Sequence, residues 1–233
     1  MIILIDKPKH ITSFDVIRIL RRKAKIKKMG HAGTLDPLAS GLLIVATEQD
    51  TKKLNNFLKL DKQYIANALF GLQTDTGDME GRIIQEQYLE SIDMEKFKEI
   101  LSGMIGKSML RVPIYSAIKS GGEALYKKAQ RGEHVIPPKK EMNLISASII
   151  DKSFKKEIIN GHSCVSIGIN FFVGSGTYIR TLIEELGRRL DVPATLKDLR
   201  RTKIGDYNIE EAIKITIDPN SGIASVGELR AML

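Results

Sequence analysis

Short apolar runs and helical patterns of apolar residues are interleaved along the whole chain. Ile2–Ile5, Leu42–Ala46 and Tyr64–Phe70 are each long and apolar enough for a buried strand. Apolar residues at helical spacing predict a strong helix over Thr177–Leu190. The same patterns predict further elements, namely the helices Thr51–Leu58, Ile92–Leu101, Ala124–Gln130 and Ile209–Ile213 and the strands Glu141–Phe154, His162–Phe172 and Leu199–Ile204.

These elements do not follow a regular strand–helix–strand rhythm, and turn signals between strands are frequent. We expect Gly30 to the start of the Leu42–Ala46 strand to be a loop, and Lys155–Gly161 to be a hairpin loop. The pattern therefore favours an α+β fold with a central mixed or antiparallel sheet flanked by helices, over a doubly wound one. No Pro- or Ser-rich linker divides the chain, which favours one elaborated domain.

A basic amphipathic helix is predicted near the amino terminus, capped by Thr12 or Ser13. Its apolar stripe comprises Phe14, Val16, Ile17, Leu20 and Ala24. Another face, extended just past the helix, carries Arg18, Arg21, Arg22, Lys25 and Lys28. A solvated charged face is the alternative interpretation of this basic stripe.

The distribution of charge along the chain supports a binding role for the basic stripe. The chain of 233 residues has a formal net charge of +8, and the segment from Lys7 to Lys28 holds nine basic residues and one acid. This concentration indicates an anionic partner, nucleic acid first and an acidic membrane surface second. Cys164 is the single cysteine, and no apolar run approaches the ~20 residues of a membrane span. We therefore expect a soluble cytoplasmic protein without disulfides.

Two loops carry candidate chemistry. Asp36 lies in Gly-Thr-Leu-Asp-Pro, where Pro37 favours an extended conformation and the carboxylate could be presented to a substrate; a simple turn residue is the alternative. Arg180 follows the Gly174 and Gly176 loop at the start of the strong helix. Its alternative is a surface arginine paired with Glu184.

Other chemistries find little support. Asp75-Thr76-Gly77 resembles half of an aspartic protease signature but occurs once, and it fails as a calcium loop. The four histidines show no metal-ligand spacing, so no metal site is predicted. There is no phosphate-binding P-loop, dinucleotide fingerprint or serine nucleophile elbow.

Taken together, the segments resemble the TruB family of tRNA pseudouridine synthases over about residues 2 to 213. The matching pieces occur in family order. They are Asp6–Pro8 with Thr12–Val16, Lys28–Pro37, Lys62–Tyr64 with Gly71, Thr74–Thr76 and Gly81, Pro113–Lys119 with Tyr126, Gly174–Thr181, and Leu199–Thr202.

The resemblance implies isomerisation of uridine to pseudouridine at position 55 in the T-loop of tRNA, with no cofactor or metal. Asp36 would be the catalytic carboxylate, and Arg180 its partner, whose guanidinium keeps the carboxylate ionised. Tyr64 would pack on the target base and move a proton. The C1′–N1 bond breaks, the base rotates, and C5 bonds to C1′. Whether the carboxylate attacks C1′ or a glycal forms is left open.

The resemblance also assigns substrate contacts. The target nucleotide must be flipped out of the folded loop, and His31 would fill the space vacated by flipped bases. Lys7 and Leu199 would line the pocket. The stripe Arg18, Arg21, Arg22, Lys25 and Lys28 would bind phosphates of the T-stem-loop.

Domain expectations follow from the same likeness. Residues 1–213 would form the catalytic domain, including an insertion near 82–140, with a short tail over 214–233 in place of the RNA-binding PUA domain of most relatives. Val112, and Asp191–Thr195, depart from the family pattern. The resemblance favours a monomer.

A non-catalytic RNA chaperone on this scaffold is a second hypothesis, and a chaperone role could also accompany catalysis. A peripheral membrane protein is a third, disfavoured by the lack of bulky apolar residues between the basic positions.

Overall fold

A computed structural model of the chain describes residues 1–116, 118–120, 122–133, 135–217 and 224–227. Ala117 of the family-like motif and most of the predicted tail 214–233 lie outside the described residues. The α-helices are α1 (Ser13–Ala24), α2 (Leu54–Leu58), α3 (Met94–Ser102), α4 (Leu125–Gln130) and α5 (Ile179–Leu190). Short 3₁₀ helices cover Glu48–Lys53 and Ile209–Glu211.

The strands are distributed over the whole chain. They are β1 (Ile2–Lys7), β2 (Met29–Ala32), β3 (Ser40–Thr47), β4 (Lys62–Phe70), β5 (Leu72–Thr74), β6 (Ile83–Glu86), β7 (Gly106–Arg111), β8 (Lys119–Ser120), β9 (Glu123–Ala124), β10 (Lys139–Ile149), β11 (Lys155–Ile159), β12 (His162–Val173), β13 (Ala194–Ile204), β14 (Tyr207–Asn208), β15 (Ile213–Ile217) and β16 (Ala224–Val226).

The chain divides into two units. The first consists of Met1–Ile65 and Leu199–Leu233, and the second of Ala66–Asp198. Strands β4 and β13 each begin in one unit and end in the other. The first unit is therefore built from two stretches that are far apart in the sequence.

The first unit contains a mixed sheet in the order β16–β15–β1–β3–β13, with β2 added to β3 and β14 to β13. β1 pairs antiparallel with β3 but parallel with β15, and β3 pairs parallel with β13. All eight residues of β3 are buried, as expected for a strand covered on both faces. On one side, Val16, Ile17 and Leu20 of α1 pack with Ile3, Ile5, Leu43 and Val45.

The second unit contains an antiparallel arrangement in which β12, β10 and β7 follow β4, and β11 pairs with β12. Its helices α3 and α5 are in contact. Phe70, Phe97 and Phe154 form an edge-to-face aromatic cluster with centroids 5.1 to 6.1 Å apart. The predicted α+β class with mixed and antiparallel strands is confirmed.

Several local predictions are wrong. The expected loop at Gly30 contains strand β2, and the expected hairpin loop at Lys155–Gly161 contains strand β11, because each segment pairs along a neighbouring strand. The predicted last helix is one 3₁₀ turn followed by strand β15, which pairs with β1 at Ile5↔Ile213. Phe14 is 54% exposed rather than in the core, because it lies at the edge of the apolar stripe of α1.

Candidate active site

Asp36 lies in the connection between the paired strands β2 and β3. The register Ala32↔Ile44 brings the ends of these strands together, and the backbone N–H of Ala39 donates to the carbonyl of Asp36 at 3.0 Å. This tight turn leaves Asp36 half-buried, while its neighbour Leu35 is 3% exposed. A buried apolar neighbour and a closed turn hold the backbone of Asp36 in a defined place.

Two contacts from the start of the chain hold the same turn. The backbone N–H of His10 donates to the carbonyl of Pro37 at 2.8 Å. Ser13, the first residue of α1, accepts from the backbone N–H of Leu35 at 2.9 Å through its hydroxyl, which also bonds the Leu35 carbonyl at 3.2 Å. The entry to the basic helix is thus fixed against the turn that carries Asp36.

Lys7 is fully buried at the end of β1, where it pairs with Gly41. Its Nζ donates to the carbonyls of Pro8 at 2.9 Å and Ile11 at 2.7 Å. These two bonds are structural, because they stabilise the segment that carries His10 toward Pro37. The pocket-lining role of Lys7 stays a prediction.

Arg201 stabilises the other side of the Asp36 turn, and sequence reasoning gave it no role. Its side chain is 1% exposed; Nε donates to the carbonyl of Leu42 at 2.7 Å and Nη2 to that of Gly33 at 2.8 Å. Gly41 allows this approach, because a Cβ there would lie 2.2 Å from the backbone carbonyl oxygen of Arg201. The only sequence signal for Arg201 was its place in the family-like piece Leu199–Thr202.

His31 lies on β2 opposite Val45 and is half-buried. Burial, and secondarily the positive charge of Arg201, lowers the pKa of His31 below its ordinary value, so the imidazole is neutral near pH 7. Its Nδ1 is buried, and no group of the described residues hydrogen-bonds to it. The role of this neutral ring beside flipped bases stays a prediction.

Tyr64 and Leu199 lie in the same unit as Asp36, on β4 and β13. Tyr64 is 8% and Leu199 7% exposed. Lys62, on the same side of β4 as Tyr64, donates from Nζ to the carbonyls of Leu58 and Leu60 at the end of α2. Its burial lowers the pKa of Lys62 to about 8. The predicted roles of Tyr64 and Leu199 toward the base stay predictions.

Arg180 lies in the second unit, in the first turn of α5, and is only 4% exposed. The alternative of a surface arginine is therefore wrong. Nη1 donates to the carbonyl of Thr76 at 2.8 Å, and Nη2 to the carbonyl of Tyr115 at 3.0 Å. The guanidinium is held by the backbone of two distant segments, both of which belong to the family-like motifs. Its predicted pairing with Asp36 stays a prediction.

Asp78 is a further functional candidate that sequence reasoning missed. Its Oδ2 lies 3.7 Å from Nη1 of Arg180, and both side chains are nearly fully buried. Oδ1 accepts from the Thr76 hydroxyl at 2.7 Å and from the Glu80 backbone N–H at 3.1 Å. A carboxyl group in this position lies beside the buried guanidinium, which the positive end of the helix dipole alone would disfavour.

Glu184, one turn after Arg180, is a second carboxyl in this environment. The pKa of Glu184 is raised to about 7, mainly by burial; the charge of Arg180 opposes the shift, and that of Asp78 adds to it. Glu184 is therefore partly protonated at neutral pH. The sequence offered it as the ion-pair partner of a surface arginine, but the buried Arg180 forms its ion pair with Asp78.

Helix α1 presents the basic stripe on the first unit. Thr12 caps it, and Asp15 completes a capping box. Arg18, Arg22, Lys25 and Lys28 are exposed, whereas Arg21 is half-buried and donates from Nη2 to the carbonyl of Met29 at 2.8 Å. The stripe thus ends at the first residue of β2, the strand that leads to Asp36.

The described residues contain no group of three or more His, Cys, Asp or Glu side chains arranged to hold a metal ion. In the same part of the chain, no helix has the length and hydropathy of a membrane span.

Known proteins are similar to this chain in sequence. The family model for the TruB family pseudouridylate synthase (N terminal domain) matches residues 21–179. A tRNA pseudouridine synthase B of Oenococcus oeni is 38% identical over 220 residues, covering 92% of this chain and 71% of the relative. The protein of the same name from Desulfotalea psychrophila is 40% identical over 213 residues, covering 91% and 85%.

Solved structures share the fold at lower identity. A chain in an H/ACA ribonucleoprotein bound to a substrate RNA containing 2′-deoxyuridine has a TM-score of 0.64 at 23% identity, with 91% of this chain and 50% of that chain covered. A chain in a Cbf5-Nop10-Gar1 complex gives a TM-score of 0.65 at 24% identity, with 91% and 51% covered. This chain thus spans about half of each solved chain. On the match to the family model and its relatives, the chain belongs to the TruB family of pseudouridylate synthases.

Proposed function

We propose that the chain isomerises uridine to pseudouridine at position 55 in the T-loop of tRNA. The observation that carries the proposal is the Asp36 turn, whose backbone is held by Ser13, His10 and Arg201 in a family whose relatives are named tRNA pseudouridine synthase B. A backbone fixed in this way limits the positions that the carboxylate can take before substrate binds, which lowers the barrier to attack.

The reaction needs few groups. The carboxylate of Asp36 acts at the sugar, either by bonding to C1′ or by taking the C2′ proton to give a glycal. The C1′–N1 bond breaks, the uracil rotates, and C5 bonds to C1′. As C5 bonds to C1′, the bond between C1′ and the Asp36 carboxylate breaks or, in the glycal route, the proton returns to C2′. The C5 proton then leaves and N1 gains one, so the atoms balance. Tyr64 packs on the base and relays the proton, and the role of Arg180 is to keep the carboxylate ionised through its positive charge.

Binding precedes this chemistry. The target nucleotide leaves the folded loop, which costs roughly a few kcal/mol of stacking. The neutral ring of His31 takes the vacated space, with Lys7 and Leu199 at the pocket. The exposed basic residues of α1 contact phosphates. The protein acts as a cytoplasmic monomer without metal or cofactor. Because the basic stripe does not include Asp36, tRNA folding by binding alone could accompany catalysis.

The test is pseudouridine mapping by mass spectrometry in tRNA incubated with the purified protein, together with tritium release from C5-labelled uridine. Wild type is expected to modify position 55. Asp36→Asn should reduce turnover by roughly a thousandfold or more while tRNA binding persists. Asp206→Asn, an exposed aspartate in the turn after β13, is the matched control and should retain activity. Full turnover by Asp36→Asn would exclude the assignment, and modification elsewhere would exclude the position.

A further inference from the structure

Phe14 is a large aromatic side chain that α1 leaves in solvent. It is 54% exposed, whereas Val16, Ile17 and Leu20 of the same helix are buried. The guanidinium carbons of Arg18 and Arg21 lie 5.8 and 5.9 Å from the centroid of its ring. We call this ring with its two cations the Phe14 cluster. What sets this exposed ring apart is the pair of cations beside it, which offers a ligand a stacking surface and positive charge together.

Both arginines of the Phe14 cluster are held in place. Arg18 forms an ion pair with Asp15, the acid of the capping box. Arg21 donates from Nη2 to the carbonyl of Met29 at 2.8 Å. The bond to Met29 restricts the half-buried Arg21 before any ligand arrives, so stacking beside it causes little further loss of conformational freedom in that side chain.

The surroundings of the Phe14 cluster select the kind of ligand. Arg22, Lys23 and Lys25 are exposed on the same helix and its end. The only acid between Lys7 and Lys28 is Asp15, and its carboxylate is already used by Thr12 and Arg18. A planar apolar ring with flanking guanidinium groups in a positive field suits an anionic polymer with planar groups, which is nucleic acid. A base inside a duplex is covered by its neighbours, so the ring can accept only an unpaired base.

We propose that the Phe14 cluster stacks against an unpaired base of the bound RNA, while the neighbouring exposed cations contact its phosphates. This inference rests on the proposed function only in taking RNA as the ligand. It adds Phe14 to the residues, Tyr64 and His31, that are predicted to contact or replace bases. The contact is apolar and aromatic, so it differs from the phosphate contacts in its salt dependence.

The experiment measures Kd for two RNAs, a hairpin with the T-arm sequence and a fully paired duplex with the same number of phosphates. Phe14→Leu keeps an apolar side chain but removes the ring, and should weaken hairpin binding roughly 5- to 150-fold. Phe14→Tyr keeps an aromatic ring and should bind the hairpin as tightly as wild type does. Duplex binding and the dependence of Kd on salt should not change. Tyr88→Leu, which removes a 72% exposed ring from the second unit, is the matched control and should have no effect.

Two results would overturn the inference. One is hairpin binding by Phe14→Leu equal to that of wild type at an unchanged Tm, in which case the ring serves a protein partner or none. The other is equal weakening toward hairpin and duplex, which would assign the effect to the basic stripe. If Phe14→Leu has a lowered Tm, the comparison is made between Phe14→Tyr and Phe14→Gln. Wild-type turnover on the same hairpin is measured separately, so a failure of isomerisation leaves the binding result interpretable.

Discussion

Asp78 and Arg180 show how much depends on one pair of buried residues. Each is 4% exposed, and the carboxylate forms an ion pair with a guanidinium that also bonds two backbone carbonyls. Attraction between buried ions mainly offsets their loss of hydration, so the pair contributes more to position than to stability. Removing one partner strongly destabilises the folded chain, because it leaves the other charge buried without its counter-ion.

We therefore expect Asp78→Asn to lower the free energy of unfolding by about 3 kcal/mol and to reduce turnover, since the buried Arg180 loses its counter-ion. Urea titration and tritium release measure the two effects. Asp75→Asn is the control from the same turn: Asp75 pairs with Arg82, whose side chain is 91% exposed, so the change should stay below about 1 kcal/mol. Equal losses in the two variants would contradict a special role for Asp78.

The raised pKa of Glu184 predicts that the free energy of unfolding depends on pH. Its pKa is raised from 4.5 to about 7 in the folded chain, so the unfolded chain releases this proton first as pH rises. Stability from Glu184 is complete below pH 4.5 and is lost between there and about pH 7, by about 3 kcal/mol. Glu184→Gln should remove that decline, so that the variant gains on wild type as pH increases.

Glu185→Gln should behave in the opposite way. Its hydrogen bonds to Arg188 are the largest cause that lowers the pKa of Glu185, so its stabilisation is present above its unfolded pKa of 4.5 and is lost on acidification. This variant should be less stable than wild type at pH 7, with the difference shrinking in acid. Thermal unfolding over a pH series measures both, and identical profiles for the two variants would contradict the assignment.

At the scale of elements, β3 and β13 pair at Arg201↔Gly41 with almost no space between their backbones. Gly41 has a φ of +109°, and a Cβ there would lie 2.2 Å from the carbonyl oxygen of Arg201. Because neither backbone can move without breaking the sheet, we expect Gly41→Ala to lower the free energy of unfolding by about 4 kcal/mol or more, or to prevent folding.

Gly161→Ala is the control that distinguishes backbone strain from steric overlap of the added Cβ. Gly161 has a φ of +86° at the β11–β12 turn, and no described atom lies within 4 Å of the position that a Cβ would occupy. Gly161→Ala should lower the free energy of unfolding by only about 1 to 2 kcal/mol, which is the strain of alanine in the left-handed conformation. Chemical denaturation of both variants compares the two; similar losses would show that strain alone explains Gly41.

The sequence predicted elements well where an apolar pattern was complete within one segment. Helix α5 and strands β1 and β4 were found in this way. Strands β2 and β11 were missed, because Met29–Ala32 is glycine-containing and Lys155–Ile159 is largely charged, and each becomes a strand only through its neighbour. Asp36 and Arg180 were proposed as site residues from motifs. Asp78 and Arg201 were not, because their value depends on partners 102 and 159 residues away.

At the scale of the whole molecule, the charge of +8 equals that of the Lys7–Lys28 segment, so the remainder of the chain is balanced. RNA affinity should accordingly fall with salt mainly through this segment. Lys25→Gln should reduce the slope of log Kd against log salt by about 0.7 to 1. Lys96→Gln, an exposed lysine of α3, should leave the slope unchanged. Equal slopes for the Lys25 variant and wild type would place the phosphates elsewhere.

The clamp of Arg201 on Gly33 and Leu42 has a consequence for biosynthesis. A ribosome releases Asp36 early, but the side chain that fixes its turn is added only after a further 165 residues, because the first unit is closed by the stretch beginning at Leu199. Nascent chains that stop within the second unit therefore carry Asp36 without its support. We expect such intermediates to be inactive toward RNA, so that activity appears only after the stretch beginning at Leu199 has been synthesised.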